Sequence, residues 1–273
     1  MQAEEKPKSI LSYLCPLLQL FASPDPAAPR NKFLETATTG FASMSRLAWG
    51  AEVSPVAAQR KEQPAQPIRL YEFEACPFCR RVRELATFLD LTLEVYPCPK
   101  GSIRHREEVL EIGGSEQFPF LHDLNTGKQL YESSDIVEYL LSTYGEGAEA
   151  PPYLLESTLL SGWMPTLLRG GRGISRWEGA CPEAPGKLLT LYSYENNQFC
   201  RLVREALTEL ELPYKLVSTG KGSIYGRQEL ERVTGKTRSP VLVDDNEGVT
   251  VTDSAKIMQH LFEHYIPTSA EPA

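Results

Sequence analysis

The chain is short of cysteine, of excess basic charge and of long apolar runs, and each shortage closes off a class of protein. Six cysteines are spread over 273 residues, and only Cys76 and Cys79 stand close together. That is not the dense spacing of a disulfide-stapled secreted scaffold. A reducing compartment is the expected setting, and there an isolated CxxC reads as catalytic or metal-binding. Lysine and arginine number 28 against 36 aspartates and glutamates, a formal charge of −8, so no broad basic face is expected and nucleic acid is excluded as a partner. The longest apolar run near the start, Ile10 to Phe21, is broken by Pro16 and is too short to span a bilayer. Lys6 and Lys8 precede it as in a signal sequence, but Glu4 and Glu5 spoil the basic flank. A short helix packed on the body or lying on a surface is expected there.

What the chain does have is a repeat. A shift of 121 residues lays Phe78-Cys79-Arg80 on Phe199-Cys200-Arg201, Lys100-Gly101-Ser102-Ile103 on Lys221-Gly222-Ser223-Ile224, Pro119 on Pro240, Glu132-Ser133 on Asp253-Ser254 and Tyr144 on Tyr265. Between Leu70 and Tyr144 about 28 of 75 positions are identical without a gap. Upstream the match is weaker: Phe33-Leu34-Glu35 lines up with Leu154-Leu155-Glu156, Gly50 with Gly171 and Pro64 with Pro185. Each copy is therefore expected to be a short helical lead-in, a Pro/Gly-rich tether (Val53–Pro67, Gly170–Lys187) and an α/β body. The expected boundaries are 1–67 for the first lead-in and tether, 68–145 for the first body, 146–187 for a helical linker and 188–266 for the second body. The copies are expected to pack as an intramolecular pseudo-dimer with the lead-ins between them.

Within one body the apolar run Ile68–Phe73 predicts a strand. Pro77 suits the first turn of a helix, where its missing N–H costs nothing, and Phe78, Val82, Leu85, Ala86 and Leu89 recur at helical spacing. Leu91–Tyr96 predicts a second strand, and Ile103–Ile112 a helix stopped by Gly113-Gly114. Phe118–His122 and Gln129–Tyr131 flank an Asn-Thr-Gly turn as a hairpin, and Ser133–Tyr144 predicts a closing helix. The order βαβαββα, with a right-handed first crossover, is the thioredoxin-like layout; the second copy repeats it from Leu188 to Tyr265.

In that layout Cys76 caps the first helix, where unpaired N–H groups and the helix dipole favour a thiolate. Arg80 and Arg81 add positive potential, and Cys79 is placed to resolve a mixed disulfide on Cys76. A zinc half-site or two inert thiols are the alternatives. Zinc needs further ligands at matching spacing, and His105, His122, His260, His264 and the other cysteines offer no such set. Phe118-Pro119 opens the third strand opposite the CxxC; a cis peptide there would present the Phe118 backbone to a substrate, whereas in isolation the proline is an edge residue. Glu132-Ser133 at a helix start suits a carboxylate, and Ser133 is equally an N-cap. Lys100 is a candidate partner for a second carboxylate or a solvated surface cation. Cys98 is either an oxidisable thiol or a small hydrophobe. In the second copy Asn197 and Gln198 replace Cys76 and Pro77. Cys200, Ser239, Pro240, Asp253 and Ser254 remain as counterparts, which leaves a structural or substrate-positioning role.

Cys76-Pro77-Phe78-Cys79, Phe118-Pro119 and Glu132-Ser133 together resemble the glutaredoxins and the N-terminal domain of glutathione S-transferases. With the Cys98-Pro99-Lys100-Gly101-Ser102 loop, the whole resembles tandem proteins of this type from plants, algae and cyanobacteria. The resemblance implies glutathione as reductant, protein or small-molecule disulfides as partners, no metal cofactor, and a plastid stroma or cytoplasmic location. Departures are Glu74-Ala75, where many glutaredoxins carry a lysine, which is expected to disfavour a thiolate, and the lack of a stretch for the all-helical transferase domain, which argues against conjugation of bulky xenobiotics. The expected activity is glutathione-dependent thiol-disulfide exchange; the alternatives are a non-catalytic glutathione- or protein-binding module and iron–sulfur handling.

Overall fold

A computed structural model describes residues 32–46, 49–156 and 161–267; the helix expected within Ile10–Phe21 lies outside them. Helix α1 (Lys32–Met44) and a 3-10 turn (Ala57–Gln59) lead into the first body. There β1 (Ile68–Glu72), α2 (Pro77–Phe88), β2 (Leu93–Pro97), α3 (His105–Gly113), β3 (Phe120–Asp123), β4 (Lys128–Leu130) and α4 (Ser133–Tyr144) follow in the expected order. Helix α5 (Trp163–Leu168) leads into β5 (Leu189–Ser193), α6 (Gln198–Glu209), β6 (Tyr214–Ser218), α7 (Tyr225–Thr234), β7 (Val241–Asp244), β8 (Val249–Thr252) and α8 (Ser254–His264). The fold is α/β, with two thioredoxin-like bodies each preceded by a helical segment. Four element starts differ from expectation: β3 begins two residues late, β4 begins one residue early, and β2 and α3 are each delayed by a specific contact. Asp90, at φ +53°, and the Leu91 N–H bonded back to Ala86 delay β2. The Glu211 carboxylate accepts from the N–H groups of Ile103 and Arg104 and so delays α3 to His105.

All eight strands form one sheet in the order β4-β3-β1-β2-β6-β5-β7-β8. β1 runs parallel to β2 and antiparallel to β3; β5 does the same with β6 and β7. The bodies meet where β2 pairs antiparallel with β6, Leu93 opposite Leu216 and Glu94 opposite Lys215. Each strand thereby covers the other's open edge. The alternation of β1 sends Ile68 and Leu70 to one face, under α2 and α4, where one apolar cluster runs through both bodies. Tyr71 points to the other face, into a separate cluster with Val109 and Phe120 under α3.

A buried ring of arginine and glutamate joins the bodies. Arg83 reaches Glu195 of the other body at 2.9 Å and Glu74 of its own at 3.0 Å. Its counterpart Arg204 reaches Glu74 at 3.0 Å and Glu195 at 3.1 Å. Around them Arg46 pairs with Glu84 at 2.6 Å and Arg169 with Glu205 at 2.8 Å, each lead-in thus tied to the first helix of its own body. All eight side chains are almost fully buried. Removing one member strands a charge without water, which costs roughly 3–5 kcal/mol.

By their contacts the lead-ins match with a shift of 123, two more than the bodies. Arg46 corresponds to Arg169, and Gly50 corresponds to Gly173 rather than to Gly171. Both glycines have positive φ (+74° and +77°), and a Cβ on either would lie 2.6 Å or 2.9 Å from the Cβ of the opposite body's Glu195 or Glu74. A glycine is required at each. Beyond them the tethers pair with the repeated Lys-Gly-Ser loops: Val53 N–H donates to Lys221 O and Lys221 N–H to Ala51 O, while Lys100 N–H donates to Ile174 O and Arg176 N–H to Lys100 O. The repeated motif is thus a clamp for the opposite tether.

Candidate functional site

Cys76 sits in extended backbone (φ −73°, ψ 120°) as the N-cap of α2, followed by Pro77 at the first helical position. Its Sγ accepts a hydrogen bond from the Cys79 N–H at 3.3 Å. This is the cap geometry that lets a backbone donor stabilise negative charge on sulfur. Cys76 is 4% exposed and Cys79 fully buried. Burial, aided by the bond from Cys79 to Cys76, pushes the Cys79 thiol well above its ordinary range. The peptide bonds before Pro119 and Pro240 are both cis.

Arg81 connects the parts. Its Nη1 donates to Ser133 Oγ at 3.1 Å, its Nη2 to Leu155 O at 2.9 Å, and its guanidinium lies 5.9 Å from the Phe78 ring centre. Ser133 is buried at the start of α4, so α2 and α4 are joined beside Cys76. Gln117 Nε2 donates to Glu132 Oε1 at 2.6 Å, linking the segment before Pro119 to the helix start. Phe118 packs edge-on against Phe73 and beneath Arg106. Tyr131, its ring tilted against Phe120, bonds through its hydroxyl to the Ser115 backbone.

Two expectations are corrected, those for Arg80 and Glu74. Arg80 does not face the thiol: its Nε donates to Glu84 at 3.0 Å and its Nη1 to Ala42 O, inside the ion-pair ring. Glu74 is held by Arg83 and Arg204, so its charge is neutralised within the ring rather than opposing a thiolate at Cys76. Cys98 is fully buried with Tyr71, Val109 and Phe120, its thiol pushed well up by burial against the opposing pull of Arg106; it behaves as a small core hydrophobe. Lys100 has an exposed side chain, and its backbone is occupied by the opposite tether. His260 lies in a structural triad: its Nε2 is 2.8 Å from Asp244 Oδ2, which also accepts from Tyr265. Among the described residues no cluster of three His, Cys, Asp or Glu side chains is arranged to hold a metal ion.

In the second body Asn197 caps α6 with its side chain, Oδ1 accepting from Phe199 N–H at 2.8 Å and Cys200 N–H at 3.1 Å. Cys200 is fully buried and its thiol is raised by that burial. Asp253, at φ +79°, caps α8 through Ala255 N–H. Phe199, Lys236, Arg238, Ser239, Pro240 and Asp253 line an open cleft of about 410 Å³.

Sequence reading took Arg81 only as added positive potential and passed over Gln117 and the basic pair Lys236 and Arg238. Their one signal was that they change type between the copies: Arg81 is matched by Leu202, Ser115 by Lys236 and Gln117 by Arg238.

This sheet order, the capping cysteine and the cis proline define a thioredoxin-like fold. The family described as glutathione S-transferase, N-terminal domain, matches residues 70–150 and again 191–269, more than half of the chain, and the chain belongs to it. Among solved structures, a glutathione transferase from Bombyx mori is similar at 32% identity over 30% of this chain and 38% of its own, with a TM-score of 0.26. Glutaredoxin 2 from Salmonella typhimurium, solved in complex with glutathione, is similar at 23% identity over 34% and 42%, TM-score 0.26. The trimeric glutathione transferase TDR1 of Leishmania shows 14% identity over 74% and 69%, TM-score 0.25. The chain spans less than half the length of the first two. No curated protein sequence matches it. No helix among the described residues is long and apolar enough to cross a membrane.

Proposed function

We propose that the chain is a glutaredoxin-like, glutathione-dependent thiol-disulfide oxidoreductase working in a reducing compartment (plastid stroma or cytoplasm), with Cys76 as nucleophile. The observation that carries this reading is Cys76 Sγ at the helix cap, accepting from the Cys79 N–H at 3.3 Å. The double match to the transferase N-terminal domain family supports glutathione as the thiol.

The Cys76 thiolate attacks the glutathione sulfur of a mixed disulfide. A Cys76–glutathione disulfide forms, and the substrate thiolate leaves and takes a proton from solvent. A second glutathione thiolate attacks the glutathione sulfur of that disulfide, which returns Cys76 as thiolate and releases glutathione disulfide. Cys79 offers a second route, attack on Cys76 to form Cys76–Cys79 with release of glutathione. Burial keeps Cys79 in the thiol form, so the route through a second glutathione carries most of the turnover. Phe118, Pro119, Glu132 and Ser133 form the surface for glutathione, with Arg81 holding Ser133 in place and Lys100 supplying a cation from the loop after β2. The second body acts as the structural half of an intramolecular pseudo-dimer.

The test is glutathione-dependent reduction of a small mixed disulfide by wild type and Cys76→Ser side by side. Loss of at least a hundredfold in the variant is expected; equal activity in the two would overturn the reading.

A further inference from the structure

The second body carries a cleft between the proline before its third strand and the first turn of its last helix, and its lining differs from the matching residues of the first body. In the first body the matching residues are tied together, and the cations beside them, Arg81 and Arg106, are engaged by Ser133 and by the Cys98 and Pro99 carbonyls. Gln117 is bonded to Glu132 at 2.6 Å, Tyr131 is bonded to the Ser115 backbone, and the Phe118 ring is sandwiched between Phe73 and Arg106. In the second body Tyr131 is replaced by Thr252 and Phe118 by Ser239, so two aromatic rings are absent from a cleft of about 410 Å³. Ser115 and Gln117 become Lys236 and Arg238. Both side chains are exposed, and neither makes an ion pair or side-chain hydrogen bond with a described residue. Thr234 holds the loop that presents them, its Oγ1 donating to Leu230 O and accepting from the Lys236 N–H. Phe199 adds an aromatic face that is 41% exposed. The one carboxylate on the wall, Asp253, has Oδ1 engaged in capping α8. Two unpaired cations converging on a cleft with an aromatic wall form an anion site in a protein whose formal charge is −8. With Asn197 where the first body has its nucleophile, and Cys200 buried, nothing at this cleft reacts with what it holds.

We propose that the second cleft is a non-reactive binding site for an acidic peptide segment, its side-chain carboxylates held by Lys236 and Arg238. The segment is a short acidic stretch of a partner protein. The proposal is independent of Cys76 chemistry.

The test uses the full chain and a fluorescent, N-acetylated, C-amidated peptide of four glutamates, followed by anisotropy at low salt. Saturable binding is expected, at least tenfold weaker for the glutamine analogue, and weakening steeply as salt rises. Lys236→Glu with Arg238→Glu abolishes it; the milder Lys236→Gln with Arg238→Gln weakens it about tenfold, and both pairs lie on an exposed loop where circular dichroism will show an intact fold. Cys76→Ser leaves it unchanged. The proposal is overturned by equal binding of the glutamine peptide, by binding that ignores both double variants, by no binding up to millimolar peptide, or by displacement of the label with glutathione at concentrations equal to those of the unlabelled acidic peptide.

Discussion

The two helix caps make the most instructive pair in the molecule. At both, the same backbone donor, three residues into the helix, points at a side-chain acceptor: Cys79 N–H at the Cys76 sulfur, Cys200 N–H at the Asn197 amide oxygen. In the first body that donor is free to stabilise a charge that appears during a reaction. In the second it is spent on the fold, since an Asn cap contributes about 1 kcal/mol to its helix. One geometry serves chemistry or stability according to which atom sits at the cap. The surfaces beside the caps diverge as well: in the first body Gln117 is bonded to Glu132, and in the second an open cleft carries Lys236 and Arg238.

Four experiments break or sharpen this contrast, beginning with the largest effect. Installing the missing nucleophile, Asn197→Cys with Gln198→Pro in a Cys76→Ser background, is expected to return no more than about a hundredth of the original disulfide-reducing activity. The counterpart of Arg81 is Leu202, and no guanidinium holds Ser254. Full activity in the mixed-disulfide assay would show that the cap residue alone separates the bodies. By contrast, Cys79→Ser should keep activity within about tenfold of wild type, because the buried thiol is bypassed by a second glutathione; a hundredfold loss would show that Cys79 resolves the intermediate.

Arg204→Met removes the second body's share of the ion-pair ring and leaves Glu74 and Glu195 each short of a partner. A loss of roughly 3–5 kcal/mol in urea unfolding is expected, as it is for Arg83→Met. A difference between the two larger than their error would mean that the ring is less symmetric than its distances.

The pH dependence also differs between the bodies. Glu72, which has Ser193 as its counterpart, is pushed up to about 7 by burial, with Arg83 opposing. Asp90 is likewise raised by burial to about 6. Such groups hold protons in the folded chain that the unfolded chain has already released, so they lower stability as pH rises from about 5 to 8. Glu195 and Glu205 run the other way: their folded values fall to about 2, where the paired arginines outweigh burial. Their contribution is complete above the ordinary carboxylate range and is lost as pH drops toward 2. The melting temperature should therefore peak near pH 5. Glu72→Gln should flatten the alkaline limb by up to about 3 kcal/mol; an unchanged limb would place the titration elsewhere.

Much of this was legible beforehand. Ile68, Leu70 and the helical spacing of Val82, Leu85, Ala86 and Leu89 announced the first strand and helix, because burial on one face imposes a period on the chain. The repeated Arg83, Glu84 and Glu74 were visible as identities, yet their purpose was not. A charged residue looks solvated in a sequence, and only the pairing of β2 with β6 brings Arg83 and Arg204 over each other's glutamates. The Lys100-Gly101-Ser102 loop was read toward a ligand for the same reason: its backbone partners, Ile174 and Arg176, come from the opposite lead-in, far away in the chain.

The sequence by itself determined that the chain is a duplicated βαβαββα unit with one CxxC and one degenerate site, since periodicity, helix caps and repetition are local properties that need no partner. Only the tertiary structure decided where the charges go. It spent Arg80 and Glu74 on a buried ring, left Lys236 and Arg238 unpaired on a cleft, and joined two four-stranded edges into one sheet. Those outcomes depend on which distant groups share a volume closed to water, and there Coulomb attraction and desolvation are each several-fold stronger than at the surface.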